Sequence, residues 1–215
     1  MALLTLPGVF SPISDSWMLA AALQREPIGP GARVLDVCTG SGVLALDAAQ
    51  TGAHVTAVDV SRRAVWTVCL NARRHRLPVR ARRGRCFEAV AEERFDLIVS
   101  NPPYVPSPNP DLPTRGPSRA WAAGRDGRVV LDQLCDEAPY HLRPGGAILI
   151  VHSSLIGEDA TVERLRGAGL IDVRVVERHT GPLGPLMREQ QEAGTVPSDV
   201  DEEDVVIVRG AAPRL

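Results

Sequence analysis

The segment Val34-Leu35-Asp36-Val37-Cys38-Thr39-Gly40-Ser41-Gly42 constrains the fold of this chain more than any other. A short apolar run ends in a turn with two glycines, and residues 43–50 then carry helix-forming side chains up to Gly52. A strand that passes so tightly into a helix exposes backbone at its carboxyl end, where a ligand can approach closely. The same alternation recurs downstream. Apolar, β-branched runs predict strands at residues 33–37, 54–58, 79–83, 95–100, 146–152, 171–178 and 205–209, whereas residues 16–24, 43–50, 61–74, 127–141 and 159–167 read as helices. Ser61 stands where it can cap the third helix. Residues 102–117 are too rich in proline for a helix or a central strand, and residues 181–198 read as loop. Strands that alternate with helices imply an α/β, Rossmann-like fold: a mostly parallel seven-stranded sheet, helices on both faces, and a ligand outside the strands' carboxyl ends.

The 215 residues, 44% hydrophobic and 23% charged, suit one domain spanning residues 1–215, with residues 1–30 as a helical N-terminal lead-in and residues 101–118 as a substrate loop. Apolar stretches are only strand-sized, and no basic-then-apolar leader precedes a small-residue cleavage site, so neither a membrane span nor an export signal is expected. Cys38, Cys69, Cys86 and Cys135 are scattered without a C-x-x-C pair, which fits a reducing cytoplasm. The five histidines are isolated from one another and from acids at ligand spacing, so no metal site is assigned. A net charge of -2 argues against a protein built wholly around nucleic acid. Its distribution is uneven: seven arginines crowd residues 73–85, and five acids crowd residues 199–204. Every basic side chain is arginine, and the Arg run reads as a solvated face, with an RNA-facing or acidic-partner patch as its alternative. Ser153-Ser154 lacks the G-x-S-x-G elbow of hydrolases, and Trp66 with Leu70, four apart on a helix, reads as core.

Asp59 ends the second strand, where a carboxylate can accept hydrogen bonds from both hydroxyls of a ribose. The glycine turn is not G-x-G-x-x-G and no lysine follows it, so nothing cradles a pyrophosphate; a cofactor without phosphates is favoured. Asp36 to Gly42 has the form D-x-x-x-G-x-G and resembles the first motif of class I methyltransferases that use S-adenosylmethionine (SAM) and release S-adenosylhomocysteine. The resemblance implies that Thr39, Gly40 and Gly42 pack against the methionine part of SAM, that Asp36 lies under its amino-acid group, and that Asp59 with Val60 holds the ribose. Members commonly carry an acid after the third strand near the adenine. Here Arg85 stands in that stretch, leaving the backbone of Cys86 or Phe87 as its replacement.

Asn101-Pro102-Pro103-Tyr104 directly follows the fourth strand. An amide nitrogen is a poor nucleophile because its lone pair is delocalised, so alignment with an electrophilic methyl must supply much of the rate, worth about 7–11 kcal/mol in well-oriented systems. Pro102 presents a pre-aimed carbonyl, Asn101 an acceptor and a donor, and Tyr104 a ring that can cover a planar amide or base. The N-P-P-Y sequence resembles that of methyltransferases acting on amide or exocyclic nitrogens, including the HemK/PrmC release-factor glutamine methyltransferases and the adenine-N6 enzymes. Three further stretches resemble the short eukaryotic and archaeal glutamine methyltransferases: Phe10-Ser11-Pro12 with Asp15-Ser16, the run from Ser118 to Arg128 that contains Trp121, and His141 to Gly146. That resemblance implies N-methylation of a protein glutamine, with a translation release factor as substrate by analogy, Asn101, Pro102, Pro103, Tyr104 and Trp121 at the acceptor, and a small activating subunit. Bacterial members carry an additional N-terminal helical domain for which this chain has no room. Amino methylation of a nucleic acid or of a small metabolite are the rival readings.

Overall fold

The computed structural model describes residues 1–214. Seven strands, β1 (Arg33–Val37), β2 (His54–Asp59), β3 (Val79–Arg83), β4 (Phe95–Ser100), β5 (Leu142–Ser153), β6 (Ile171–Pro182) and β7 (Glu202–Ala211), form one sheet in the order β3-β2-β1-β4-β5-β7-β6. Pairing is parallel from β3 through β5, and only β7 runs antiparallel to its neighbours β5 and β6. The chain winds outward from β1 in one direction and from β4 in the other. Their shared boundary is the switch point, where a crevice opens beyond the strands' carboxyl ends.

Helices α1 (Ser14–Leu23), α2 (Val43–Gln50), α3 (Arg62–His75), α4 (Val129–His141), α5 (Glu158–Gly167) and α6 (Pro185–Glu192) complete the fold. Side chains alternate across each strand. Leu35, Val37, Ile98 and Ile148 face one core layer with Leu131 and Leu134 of α4 and Leu165 of α5. Val34, Leu97, Val99 and Leu149 face the other, with Leu19 and Leu23 of α1, Leu44 and Ala48 of α2 and Val68 of α3. Ser61 caps α3 as its position predicts, accepting from the Ala64 N–H at 3.4 Å.

Strands β5, β6 and β7 run longer than their expected 146–152, 171–178 and 205–209, and the structure departs from the sequence reading in four further places. Residues 185–192 are helical, not loop: Pro185 fixes the first turn and Met187 and Gln190 are buried. A helix of eight residues offers too few periodic positions to read from sequence. Helix α4 begins at Val129, not at Gly127, because Gly127 turns with φ +74° and a Cβ there would run into the Tyr104 carbonyl. A short 3-10 turn follows the proline-rich loop at Pro117–Ala120. Trp66 and Leu70 are not core: they stand 69% and 46% exposed on the outer face of α3, whose buried face is made by Ala64, Val68 and Ala72 instead.

Candidate active site

At the switch point the ends of β1 and β4 are tied together, the Ser100 hydroxyl donating to the Val37 carbonyl at 2.8 Å. The two motif-bearing loops leave from these ends and face a cavity of about 750 Å³. Thr39, Gly40, Asp59, Val60 and Cys86 line one end of it; Asn101, Pro102, Pro103, Tyr104 and Trp121 line the other. Sequence reasoning therefore assembled ten residues that the fold does bring to one space.

Asp59 is oriented by backbone. Its Oδ2 accepts from the Gly40 N–H at 3.0 Å and its Oδ1 from the Ser61 N–H at 2.8 Å, so one carboxylate joins the glycine turn to the start of α3. Burial pushes its pKa up, and the two N–H bonds and the Arg119 charge oppose that shift. Gly40 takes φ +54°, with the Phe10 carbonyl 3.6 Å from where a Cβ would sit, so the N-terminal lead-in closes over the turn.

Three residues expected at the cofactor are absent from the cavity wall. Asp36 shares the inward face of Val34, toward α2, and is fully buried; its Oδ2 accepts from the Thr39 hydroxyl at 2.5 Å and the Ala45 N–H at 3.1 Å. It braces the glycine turn from beneath and is absent from the cavity wall. Gly42, φ +88°, starts α2 where a Cβ would come within 3.0 Å of Val68 Cγ2, so its role is close helix packing. Phe87 is buried and stacks on His141, centroids 4.4 Å apart. Its neighbour Cys86 takes the wall position.

Burial pushes the Asp36 carboxyl from 3.8 up to about 7, Asp59 adding to the shift and the two donors opposing it. The folded state therefore favours the protonated acid, whereas the unfolded chain ionises it near 3.8. Its contribution to stability is full below that value and is lost as pH rises toward about 7, at up to about 1.36 kcal/mol per pH unit. Asp36→Asn should flatten that slope in denaturant melts across the same window. A variant with the wild-type slope would refute the assignment.

At the other end, the Asn101 Nδ2 donates to the Ser16 hydroxyl at 3.1 Å, and the Tyr104 hydroxyl donates to Asp15 in a very short contact. Burial, then the Asp15 charge, push the Tyr104 pKa well above its ordinary value. Asp15 and Ser16, 4% and 3% exposed, sit in the first turn of α1. One N–H of the Asn101 amide is used on Ser16, and neither its Oδ1 nor the Pro102 carbonyl accepts a hydrogen bond among the described residues. The loop beyond is locked by a backbone exchange between Val105 and residues 121–123, which seats Trp121 in the wall. Sequence reasoning singled out Asp15 and Ser16 only as part of a resemblance. It gave no site role to Arg119, Met187 or Glu203, although Arg119 lies in the run from Ser118 to Arg128 and Glu203 in the acidic cluster of residues 199–204.

The Arg run divides. Arg82, Arg80 and Arg33 converge on Glu93 at 2.7, 3.7 and 2.6 Å, and the Arg83 Nε donates to the Val60 carbonyl. Arg73, Arg74 and Arg76 are exposed, with no ion pair among the described residues. With part of its charge neutralised at home, the segment should bind duplex RNA or DNA no more tightly than non-specific contacts do, about 10⁻⁴–10⁻⁶ M at physiological salt. Tighter binding that is lost when Arg73, Arg74 and Arg76 are neutralised would overturn this.

Residues 1–111, more than half of the chain, match the methyltransferase small domain family. The chain belongs to that family. This methyltransferase is 40% identical over 168 residues to a release factor glutamine methyltransferase of Xylella fastidiosa, covering 74% of this chain and 60% of that one, so it spans about three fifths of that relative. Its likeness to a putative protein N5-glutamine methyltransferase of Methanocaldococcus jannaschii is 31% identity over 182 residues, 84% of this chain and 90% of that one. Among solved structures, a Thermus thermophilus 16S rRNA N2 G1207 methyltransferase in complex with AdoMet and guanosine superposes with a TM-score of 0.66 at 21% identity, over 97% of this chain and 46% of that one. That likeness shows the class I methyltransferase fold. No described helix is long and apolar enough to cross a membrane.

Proposed function

We propose that this methyltransferase binds SAM against the glycine turn and Asp59 and methylates the side-chain amide nitrogen of a glutamine in a protein. The observation that carries the reading is the state of Asn101: one N–H of its amide is tied to Ser16, which orients the group, and its Oδ1, like the Pro102 carbonyl, accepts no hydrogen bond among the described residues. Two acceptors side by side suit the two N–H bonds of a primary amide. Relatives named as glutamine methyltransferases support the same acceptor.

The donor set fits the cofactor. Asp59 offers a buried carboxylate, pre-oriented by two backbone N–H groups, for the ribose hydroxyls, and the cavity lacks a lysine or a phosphate cradle. Bound SAM supplies an electrophilic methyl on a sulfonium, a good leaving group. Asn101 Oδ1 and the Pro102 carbonyl would hold the amide by its N–H bonds with its nitrogen turned toward the cofactor, and the proton lost on methylation would pass to water. Tyr104, fixed by Asp15, walls the planar amide on one side, and Trp121 lines the same end.

The finer expectations belong to this reading as well. A translation release factor is the proposed substrate, residues 101–118 the substrate loop of a single domain, and the cytoplasm the compartment in which the four free cysteines persist. A small activating subunit would find an apolar surface at the exposed Trp66 and Leu70 of α3, next to the edge strand β3. The test is transfer from labelled SAM into a cell lysate split into protein, RNA, DNA and small-molecule fractions. Label in the protein fraction is expected. Label confined to RNA, DNA or metabolites would overturn the proposal.

A further inference from the structure

Asn101 to Tyr104, the proposed acceptor clamp, make no main-chain hydrogen bond outside the β ladder among the described residues. Two of the four are prolines, which have no N–H to give. The backbone is tied again only at Val105, which donates to the Trp121 carbonyl at 2.9 Å. Between β4 and that point the segment is held by two side-chain bonds, and both run to the first turn of α1. Asn101 Nδ2 donates to the Ser16 hydroxyl at 3.1 Å, across 85 residues of sequence, and the Tyr104 hydroxyl donates to Asp15, across 89. The Ser14 hydroxyl steadies Asp15 at 3.0 Å. Leu19 and Leu23 fasten the same helix into the core, so α1 is a fixed frame for a loop that has little hold of its own.

A carboxamide turns about a terminal torsion whose preference is broad. The bond to Ser16 is the one side-chain hydrogen bond that Asn101 makes among the described residues, so it sets the plane in which Oδ1 is offered. Turned over, Asn101 would meet the N–H bonds of an acceptor amide with its own NH₂, donor against donor, and the Pro102 carbonyl would be left to hold the amide alone. Ser16 Oγ has no second partner among the described residues and does not cap α1, whose N-cap is Ile13. We propose that Ser16 is a positioning residue for methyl transfer, acting through Asn101 by holding its carboxamide with Oδ1 toward the acceptor. The proposal rests on the glutamine reading above.

Ser16→Ala tests it with little risk to the fold, because alanine is the better helix former. With SAM and a purified translation release factor, single-turnover transfer should slow at least tenfold, with SAM affinity within about twofold of wild type and the melting temperature nearly unchanged. The deciding comparison is made in Asn101→Ala, where the carboxamide is gone: there Ser16→Ala should slow transfer less than about twofold further, so that the two losses do not multiply. Losses that multiply, an unchanged rate in Ser16→Ala alone, or a melting temperature low enough to account for its defect overturns the role of Ser16 and leaves the glutamine reading standing. A wild-type protein that methylates no glutamine overturns that reading and this inference with it.

Discussion

Asn101→Ala should lower turnover at least about a hundredfold, roughly 2.7 kcal/mol of transition-state stabilisation, with SAM affinity nearly intact. The separation is expected because Asn101, its amide donating to Ser16 of α1, shares its loop with the proposed acceptor residues Pro102 and Tyr104, whereas the ribose is assigned to Asp59. Parallel calorimetry and melting would show whether binding or folding is at fault. Near-normal turnover, or a loss explained wholly by SAM binding or by unfolding, would remove Asn101 from the chemistry. Tyr104 sharpens the comparison. Judged by stacking alone, Tyr104→Phe should be milder than Tyr104→Ala. The structure raises the cost of losing the hydroxyl, because Phe would leave the buried Asp15 carboxylate without the donor on Oδ2, only the Ser14 hydroxyl remaining on Oδ1.

Asp59→Ala should have the second large effect, here on the cofactor. A charge-assisted acceptor for the ribose is worth about 1.5–3 kcal/mol, or roughly a tenfold to hundredfold loss of affinity for SAM and its demethylated product. The structure adds a second route to the same loss, since the carboxylate also receives the Gly40 and Ser61 N–H groups and so shapes the turn. Titration calorimetry that finds unchanged affinity for both would place the ribose elsewhere.

The parts of this protein that were legible in its sequence are those with local causes. Strands β1, β3 and β4 and helix α2 fall at the predicted residues because each is an apolar run or a helix-forming segment bounded by glycine, proline or a change of period. Both loops of the site were visible for the same reason. That Asp36 and Phe87 stand off the cavity wall could not be read, because the face on which a side chain lands depends on strand parity and on a distant partner, α2 for the one and His141 for the other. Trp66 and Leu70 have core-like identity and helical spacing, yet α3 buries its small residues. Glu203 and α6 could not be read at all, for their relation to Tyr104 exists only once β7 inserts between β5 and β6.

The most direct measurement is to incubate the protein with SAM and a purified release factor, then locate the added methyl by tandem mass spectrometry. The account predicts one methyl on a glutamine side-chain nitrogen, absent when Asn101→Ala replaces the wild type. A methyl on a lysine, arginine or terminal amine of the release factor, or no modification of any protein while nucleic acid is labelled, would contradict it.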